Sequence, residues 1–160
     1  MGQSRQMHIP TLRLYSVFGP FENPGRLMPT LIREGLAGKL PPLVNPEVMH
    51  DFVFIEDVVD AYLLAADKAG QECGVIYNVG TGKQTSLVEI VDSARRIMKI
   101  AALPRWSSMP DRKWDTGNWV ADSHKIQKEL GWRPKYTVEQ GLGRMVEWFT
   151  SNTALHNLYQ

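Results

Sequence analysis

Three short runs rich in apolar, β-branched and aromatic residues set what this chain can fold into. Residues 9–15 (IPTLRLY), 50–55 (HDFVFI) and 74–80 (GVIYNVG) read as strands, each running into a turn or a helical pattern. A Pro/Gly-rich loop, FGPFENPG, follows the first. From Arg26, the apolar residues Leu27, Met28, Leu31, Ile32 and Leu36 fit a helix, with Pro29 tolerated in its first turn and Gly38 ending it. Residues 39–46 carry three prolines and read as a weak strand or turn. Residues 56–69 form the clearest helical pattern. Val58, Val59, Tyr62, Leu63 and Ala66 share one broad face, and the acids Glu56, Asp57 and Asp60 stand near the start, where capping and the helix dipole explain them. Ser86 with Glu89, and Thr137 with Gln140, are capping boxes opening helices that run to about Met98 and Trp148. Asp122 is expected to cap a short helix ending at Leu130 and closed by Gly131. Residues 104–117 read as loop, and the last residues have no strong pattern. The alternation is that of an α/β protein. Its few strands, separated by long polar connections, leave little room for a self-contained doubly wound sheet.

Composition removes several functional classes. The 160 residues hold 18 Lys+Arg against 17 Asp+Glu, a formal charge of +1, which gives no electrostatic case for nucleic acid or an anionic membrane as partner. The single cysteine, Cys73, rules out an intramolecular disulfide framework or a multi-cysteine metal site. His8, His50, His124 and His156 have no metal-ligand spacing with one another or with Cys73. No apolar run is long enough to span a bilayer, and the start, MGQSRQMHIP, has no stretch suited to a secretory signal. Gln6 occupies the position where N-myristoylation wants Ser or Thr. The expectation is a soluble cytoplasmic protein.

The most tempting motif is Gly80-Thr-Gly82-Lys83, set between a strand and a capped helix. A Walker A loop would need Gly at Tyr77 and Ser or Thr at Gln84. As a dinucleotide fingerprint it has Thr85 where the third glycine belongs, and Ile100 near the place of the ribose-binding acid. A tight strand-to-helix turn is the better reading. No Gly-x-Ser-x-Gly elbow occurs. Trp132 and Trp148 read as packing residues, whereas Trp106, Trp114 and Trp119 lie in polar loop and one of them is a candidate for stacking on a base.

Four segments in order, 12–20 (LRLYSVFGP), 50–62 (HDFVFIEDVVDAY), 77–82 (YNVGTG) and 121–142 (ADSHKIQKELGWRPKYTVEQGL), resemble the C-terminal half of extended short-chain dehydrogenase/reductase enzymes. These are the NAD-dependent sugar-nucleotide epimerases and dehydratases. The resemblance implies a partial Rossmann-type α/β fold, its C-terminal portion only, with 1–8 as leader, 9–149 as the substrate-binding part and 150–160 as tail. It implies a nucleotide diphosphate sugar as ligand and NAD as the cofactor of the parent reaction. Ser16, Arg26 and Leu27 match substrate-contacting positions, and Tyr15 matches one lying against the nicotinamide. Arg112, ten residues before Asp122, matches a phosphate-binding arginine, with Asp115 in its companion position. His50 stands where the family usually has a diphosphate-clamping arginine; a neutral imidazole lacks that bidentate cation.

The family's catalytic pair, Tyr-x-x-x-Lys, occurs nowhere in the sequence: the residues four after Tyr15, Tyr62, Tyr77 and Tyr136 are Gly19, Ala66, Thr81 and Gln140. With no glycine fingerprint either, the expectation is a handle for an activated sugar, inactive alone. Two other readings stay open: a stand-alone nucleotide-sugar binding module, and an interaction fragment. In the family's fold the runs at 9–15 and 74–80 are strands of the Rossmann sheet. Without their neighbours they would expose edges, and association with a second copy or with a separate Rossmann half is expected to cover them.

Overall fold

The computed structural model describes Ser4, residues 9–68, 73–110 and 119–154, and Tyr159. Among these described residues, six strands and five helices follow in the order β1 (Thr11–Leu14), β2 (Ser16–Phe18), α1 (Leu27–Leu36), β3 (Met49–His50), β4 (Phe52–Phe54), α2 (Ile55–Asp67), β5 (Ile76–Val79), β6 (Thr85–Ser86), α3 (Leu87–Met98), α4 (His124–Leu130) and α5 (Val138–Ser151). Residues 39–45 form no strand. Two prolines in succession, Pro41 and Pro42, deny that segment its ladder donors.

The strands pair two by two. β1 lies parallel to β5, with Thr11 opposite Ile76 and Leu14 opposite Val79. β2 lies parallel to β4, Ser16 opposite Phe52 and Phe18 opposite Phe54. β3 and β6 are antiparallel. The chain changes pair at two points. Tyr15 separates β1 from β2, and Asp51 splits the run at 50–55 into β3 and β4. These two seams touch, since the Tyr15 amide donates to the Val79 carbonyl and the Ser16 amide to the Asp51 carbonyl.

Residue alternation along β4 divides the interior. Phe52 and Phe54 enter a cluster with Phe18, Leu31, Ile32, Ile90, Leu142 and Met145, built under α1, α3 and α5. Val53 enters a second cluster with Val58, Ala61, Tyr77, Val79, Ile126 and Trp132, between α2, β5 and α4. Gly141 permits the first: a Cβ there would sit 2.7 Å from the Phe18 ring and 2.9 Å from that of Phe54. α5 therefore packs directly on β2 and β4. Tyr159 folds back onto the same cluster, its ring centroid 4.6 Å from that of Phe149, so the end of the chain contributes to the core.

Both capping boxes form as read, at Ser86/Glu89 and Thr137/Gln140, and the second opens a helix that runs on to Ser151. α4 differs: Ser123 takes the N-cap position, and Asp122 accepts from the His124 amide at 3.1 Å from just outside the helix. α2 corrects the sequence reading more strongly. Its buried positions are Asp57, Val58, Ala61 and Ala65, while Val59, Tyr62 and Leu63 are 48%, 52% and 64% exposed. Ala66 is exposed as well. The acids at its start do more than cap. Asp57 is fully buried and accepts from the amides of Lys135 and Tyr136 at 2.8 and 3.3 Å, Glu56 accepts from the Tyr136 hydroxyl at 2.7 Å, and Asp60 pairs with Lys135. Together with the Trp132 indole, which donates to the Asp57 carbonyl at 2.8 Å, they fasten the segment before α5 onto α2.

Candidate functional site

A cavity of about 560 Å³ opens where the two seams meet the start of α1. Tyr15 and Ser16 reach it because the chain changes strand pair there, Arg26 and Leu27 because they begin α1, and His50 because it ends β3. Five of the residues singled out from sequence thus come together. Arg112 and Asp115 lie outside the described residues, as do Trp114 and His8.

The floor is apolar, with Pro42, Leu43, Val44, Val48 and Phe52 among its residues. His50 meets Phe52 edge-on at 5.7 Å. Trp119 forms a wall that sequence reasoning left among three candidates. Its ring is 50% exposed and lies 6.1 Å from Tyr15 at an interplanar angle of 58°. Its carbonyl accepts from the Asp51 amide at 3.1 Å, which fixes the aromatic pair beside the seam. Trp106 packs instead against the first core cluster. Among the described lining residues Arg26 is the one permanent cation, and no acid faces the cavity. Such a site suits an anion carried on a flat or apolar body.

Arg26 is the N-cap residue of α1, and no side chain caps that terminus. Its guanidinium is held from behind by Glu22, Nε to Oε1 at 3.0 Å. Glu22 is nearly buried, and burial raises its carboxyl to about 7, against the opposing pull of Arg26 and of a backbone hydrogen bond at Gly19.

The Gly80-Thr-Gly82 turn lies close by, and its amides are already occupied. The fully buried Asp51 carboxylate accepts from the Thr81 amide and hydroxyl at 2.7 and 2.6 Å, from the Gly82 amide at 2.9 Å and from the Ala121 amide at 3.0 Å. A nest of N–H groups that elsewhere holds phosphate here holds the protein's own acid. Gly80 is required for that closeness, because a Cβ would stand 2.8 Å from Asp51 Oδ2. Asp51 is the organising residue that the sequence reading missed. Its place before an aromatic strand gave no sign that its ligands lie about 30 and 70 residues away.

Among the described residues no helix is long and apolar enough to cross a membrane, and no three His, Cys, Asp or Glu side chains are grouped to hold a metal ion.

Comparison with known proteins places this geometry in a family. The sequence pattern described as NAD dependent epimerase/dehydratase family matches residues 1–80. A dTDP-glucose 4,6-dehydratase of Xanthomonas campestris is 30% identical over 146 residues, covering 84% of this chain and 40% of its own length. The UDP-glucose 4-epimerase of Thermotoga maritima, solved with UDP-glucose, is 28% identical with a TM-score of 0.79, covering 90% of this chain and 46% of its own. The Bordetella bronchiseptica enzyme WbmF, solved with NAD+ and UDP, is 25% identical with a TM-score of 0.79, covering 98% and 50%. This chain therefore spans half or less of the relatives it matches. The shared pattern and the shared partial Rossmann-type fold assign it: the chain belongs to the NAD-dependent epimerase/dehydratase family.

Proposed function

We propose that this chain supplies the nucleotide-diphosphate grip of a sugar-nucleotide epimerase or dehydratase, and that hydride and proton transfer depend on residues it does not contain. The observation that carries this reading is the convergence of Tyr15, Ser16, Arg26, Leu27 and His50 on one cavity with an apolar floor, where Arg26 is the permanent cation among the described lining residues. Arg26 would hold the diphosphate with the guanidinium nitrogens not engaged by Glu22. Ser16 and His50 would add hydrogen bonds, and Leu27 would pack beside the ligand. Arg112 and Asp115 are assigned to the same grip from sequence alone.

NAD, when bound to the parent enzyme, accepts and returns a hydride. The described residues fit only one end of such a molecule. Tyr15 offers a ring for the nicotinamide, but the glycine turn is filled by Asp51 and cannot cradle a dinucleotide's phosphates. No Tyr-x-x-x-Lys pair is present in the sequence. This chain's contribution is to bind and orient the substrate, as a fragment of the enzyme or as a stand-alone binding module.

A partner surface is the second part of the proposal. β1 is paired on one edge alone among the described residues, and α2 turns Val59, Tyr62 and Leu63 outward. An open strand edge beside an apolar helix face favours association, with a second copy or with a separately supplied Rossmann half.

Calorimetric titration of the 160-residue chain with UDP-, dTDP-, GDP- and CDP-sugars tests the grip. Binding of at least one, weakened about tenfold or more by Arg26→Ala through loss of a charge-assisted contact, is expected. Absence of binding by all four, or an unchanged affinity in the variant, would overturn it. NADH formation by the pure chain would overturn the division of labour.

A further inference from the structure

The ion pair behind the cavity joins an exposed cation to a nearly buried acid. Arg26 is half exposed and lines the cavity, whereas the Glu22 side chain is 8% exposed and contributes nothing to the lining. One Glu22 oxygen meets Arg26, and the other, Oε2, is buried without a hydrogen-bond partner. The Tyr159 hydroxyl is buried as well, beside the Phe21 backbone. It lies close enough for the Glu22 charge to hinder its ionisation. Tyr159 is held by its own carbonyl, which accepts from Arg33 at 2.9 Å, and by ring contacts with Phe149 and Trp148. Phe21, immediately before Glu22, is held at φ 65°, in the left-handed region that residues with side chains seldom adopt. The backbone is strained at the step that leads into a buried carboxyl whose second oxygen is unsatisfied.

A carboxyl so placed is poorly stabilised as an anion, and Arg26 is the charge that holds it in that form. An anionic ligand on Arg26 would draw on the same positive charge and add its own negative charge nearby. Both effects favour the neutral acid.

We propose that Glu22 is a proton-linked positioning residue of the cavity: an anion bound at Arg26 is accompanied by proton uptake at Glu22, so that binding tightens as the solution becomes more acidic. The inference rests on the reading of the cavity as a diphosphate site. Among the described residues, the groups set against Glu22 are Arg26 from the start of α1 and Tyr159, with the Gly19 backbone alongside. Its carboxyl, raised to about 7 by burial, titrates where the linkage can be observed. A diphosphate diester keeps its charge across that range, so the ligand itself contributes no proton. His50 is the other group in the cavity of a type that titrates near neutrality, and an anion would favour its protonation in the same sense.

The test is titration with UDP-glucose at pH 6, 7 and 8, repeated at pH 7 in two buffers of different ionisation enthalpy to count protons. The wild-type chain is expected to take up a fraction of a proton at pH 7 and to bind more tightly at pH 6 than at pH 8. With the free carboxyl at about 7, the ratio is about fivefold if the ligand raises it by one unit and approaches about tenfold for larger rises. Glu22→Gln should bind with a flatter pH profile and lose that share of the uptake, while His50→Asn should keep it. Equal proton uptake in wild type and Glu22→Gln would overturn the linkage and leave the cavity assignment standing. Absence of binding at every pH would overturn both. Carbon-13 NMR of the glutamate carboxyls in the ligand-free chain gives an independent check. A Glu22 midpoint near 7 supports the inference, and an ordinary value near 4.5 defeats it whatever the binding data show.

Discussion

The two hydrophobic clusters share β4 and differ in the surface that surrounds them. The cluster under α1, α3 and α5 is closed, for Phe18, Leu31, Ile32, Ile90, Leu142 and Met145 are all within 2% of full burial and Tyr159 seals its end. The cluster between α2, β5 and α4 is buried as well, its members 0–5% exposed, but apolar surface stays open around it. There β1 has one paired edge among the described residues, Ile76 is 37% exposed, and α2 carries a second apolar stripe facing out. The candidate ligand cavity belongs to the closed side, and the open side is where a family built on a larger sheet would continue. On the proposed reading, the difference would separate two jobs within one chain: gripping on the covered side, and joining where apolar surface is left uncovered.

The sharpest way to break this arrangement is at the seam. Asp51→Ala would strand the Thr81, Gly82 and Ala121 donors that the carboxylate now satisfies. At about 0.5–1 kcal/mol for each of four donors, one buried and three partly buried, a loss of about 2–4 kcal/mol is expected, measured by urea unfolding. Because the seam also fixes Trp119, ligand binding should fall with it. A seam that merely lies beside the site would lose stability and keep its affinity in whatever fraction remains folded.

Leu142→Ala probes the closed cluster alone. The side chain is fully buried under α5, and truncation there should cost about 2–5 kcal/mol. An effect below about 1 kcal/mol would mean that this cluster is not the chain's main source of stability.

How far the sequence anticipated these features follows from how local each one is. The capping boxes at Ser86 and Thr137 were legible because donor and acceptor lie three residues apart. Five of the cavity's lining residues were singled out through family resemblance, while their convergence on one cavity was not read from the sequence. Which part of the apolar α2 face is buried was not legible, for a physical reason. The helix is apolar on two sides, and periodicity reports where apolar residues fall without reporting which side is covered. Asp51, Asp57 and Glu22 were beyond reach because their surroundings are assembled from distant chain. Asp57 binds amides near residue 135, and Glu22 is buried with the help of Tyr159. The spacing from Glu22 to Arg26 suggests an ordinary exposed pair, and burial alone makes it something else.

That burial predicts a pH dependence of intermediate size. An unfolded glutamate gives up its proton near 4.5, whereas folded Glu22 keeps it to about 7. Between those values the folded chain binds the extra proton, so this contribution to stability is complete below about pH 4.5 and is lost as the pH rises through 7. A loss of about 2–3 kcal/mol between pH 5 and pH 8 is expected from urea midpoints. Glu22→Gln should remove that step and leave the contribution of histidines in place. Glu89 acts in the opposite sense and at lower pH. Its bonds from Ser86 hold its carboxyl below the usual range, so its contribution is present above about 4.5 and disappears on further acidification.

The smallest effect on folding should come from the open side, which makes it the most telling about joining. Leu63 is 64% exposed on the outer stripe of α2, and Leu63→Glu should change stability by no more than about 0.5 kcal/mol. If the stripe is a contact surface, the same charge placed in it opposes association, with a second copy or with a Rossmann half supplied in trans. Sedimentation at rising concentration, alone and with such a half added, should then find the wild-type chain in larger species and the variant as a monomer. Self-association surviving in both would leave the β1 edge as the joining element, since a paired strand needs only its backbone and tolerates a charge on the neighbouring helix. Leu14→Pro would separate those outcomes. It lies in β1, whose open edge a proline would blunt for any incoming strand, while the α2 stripe stays as it is.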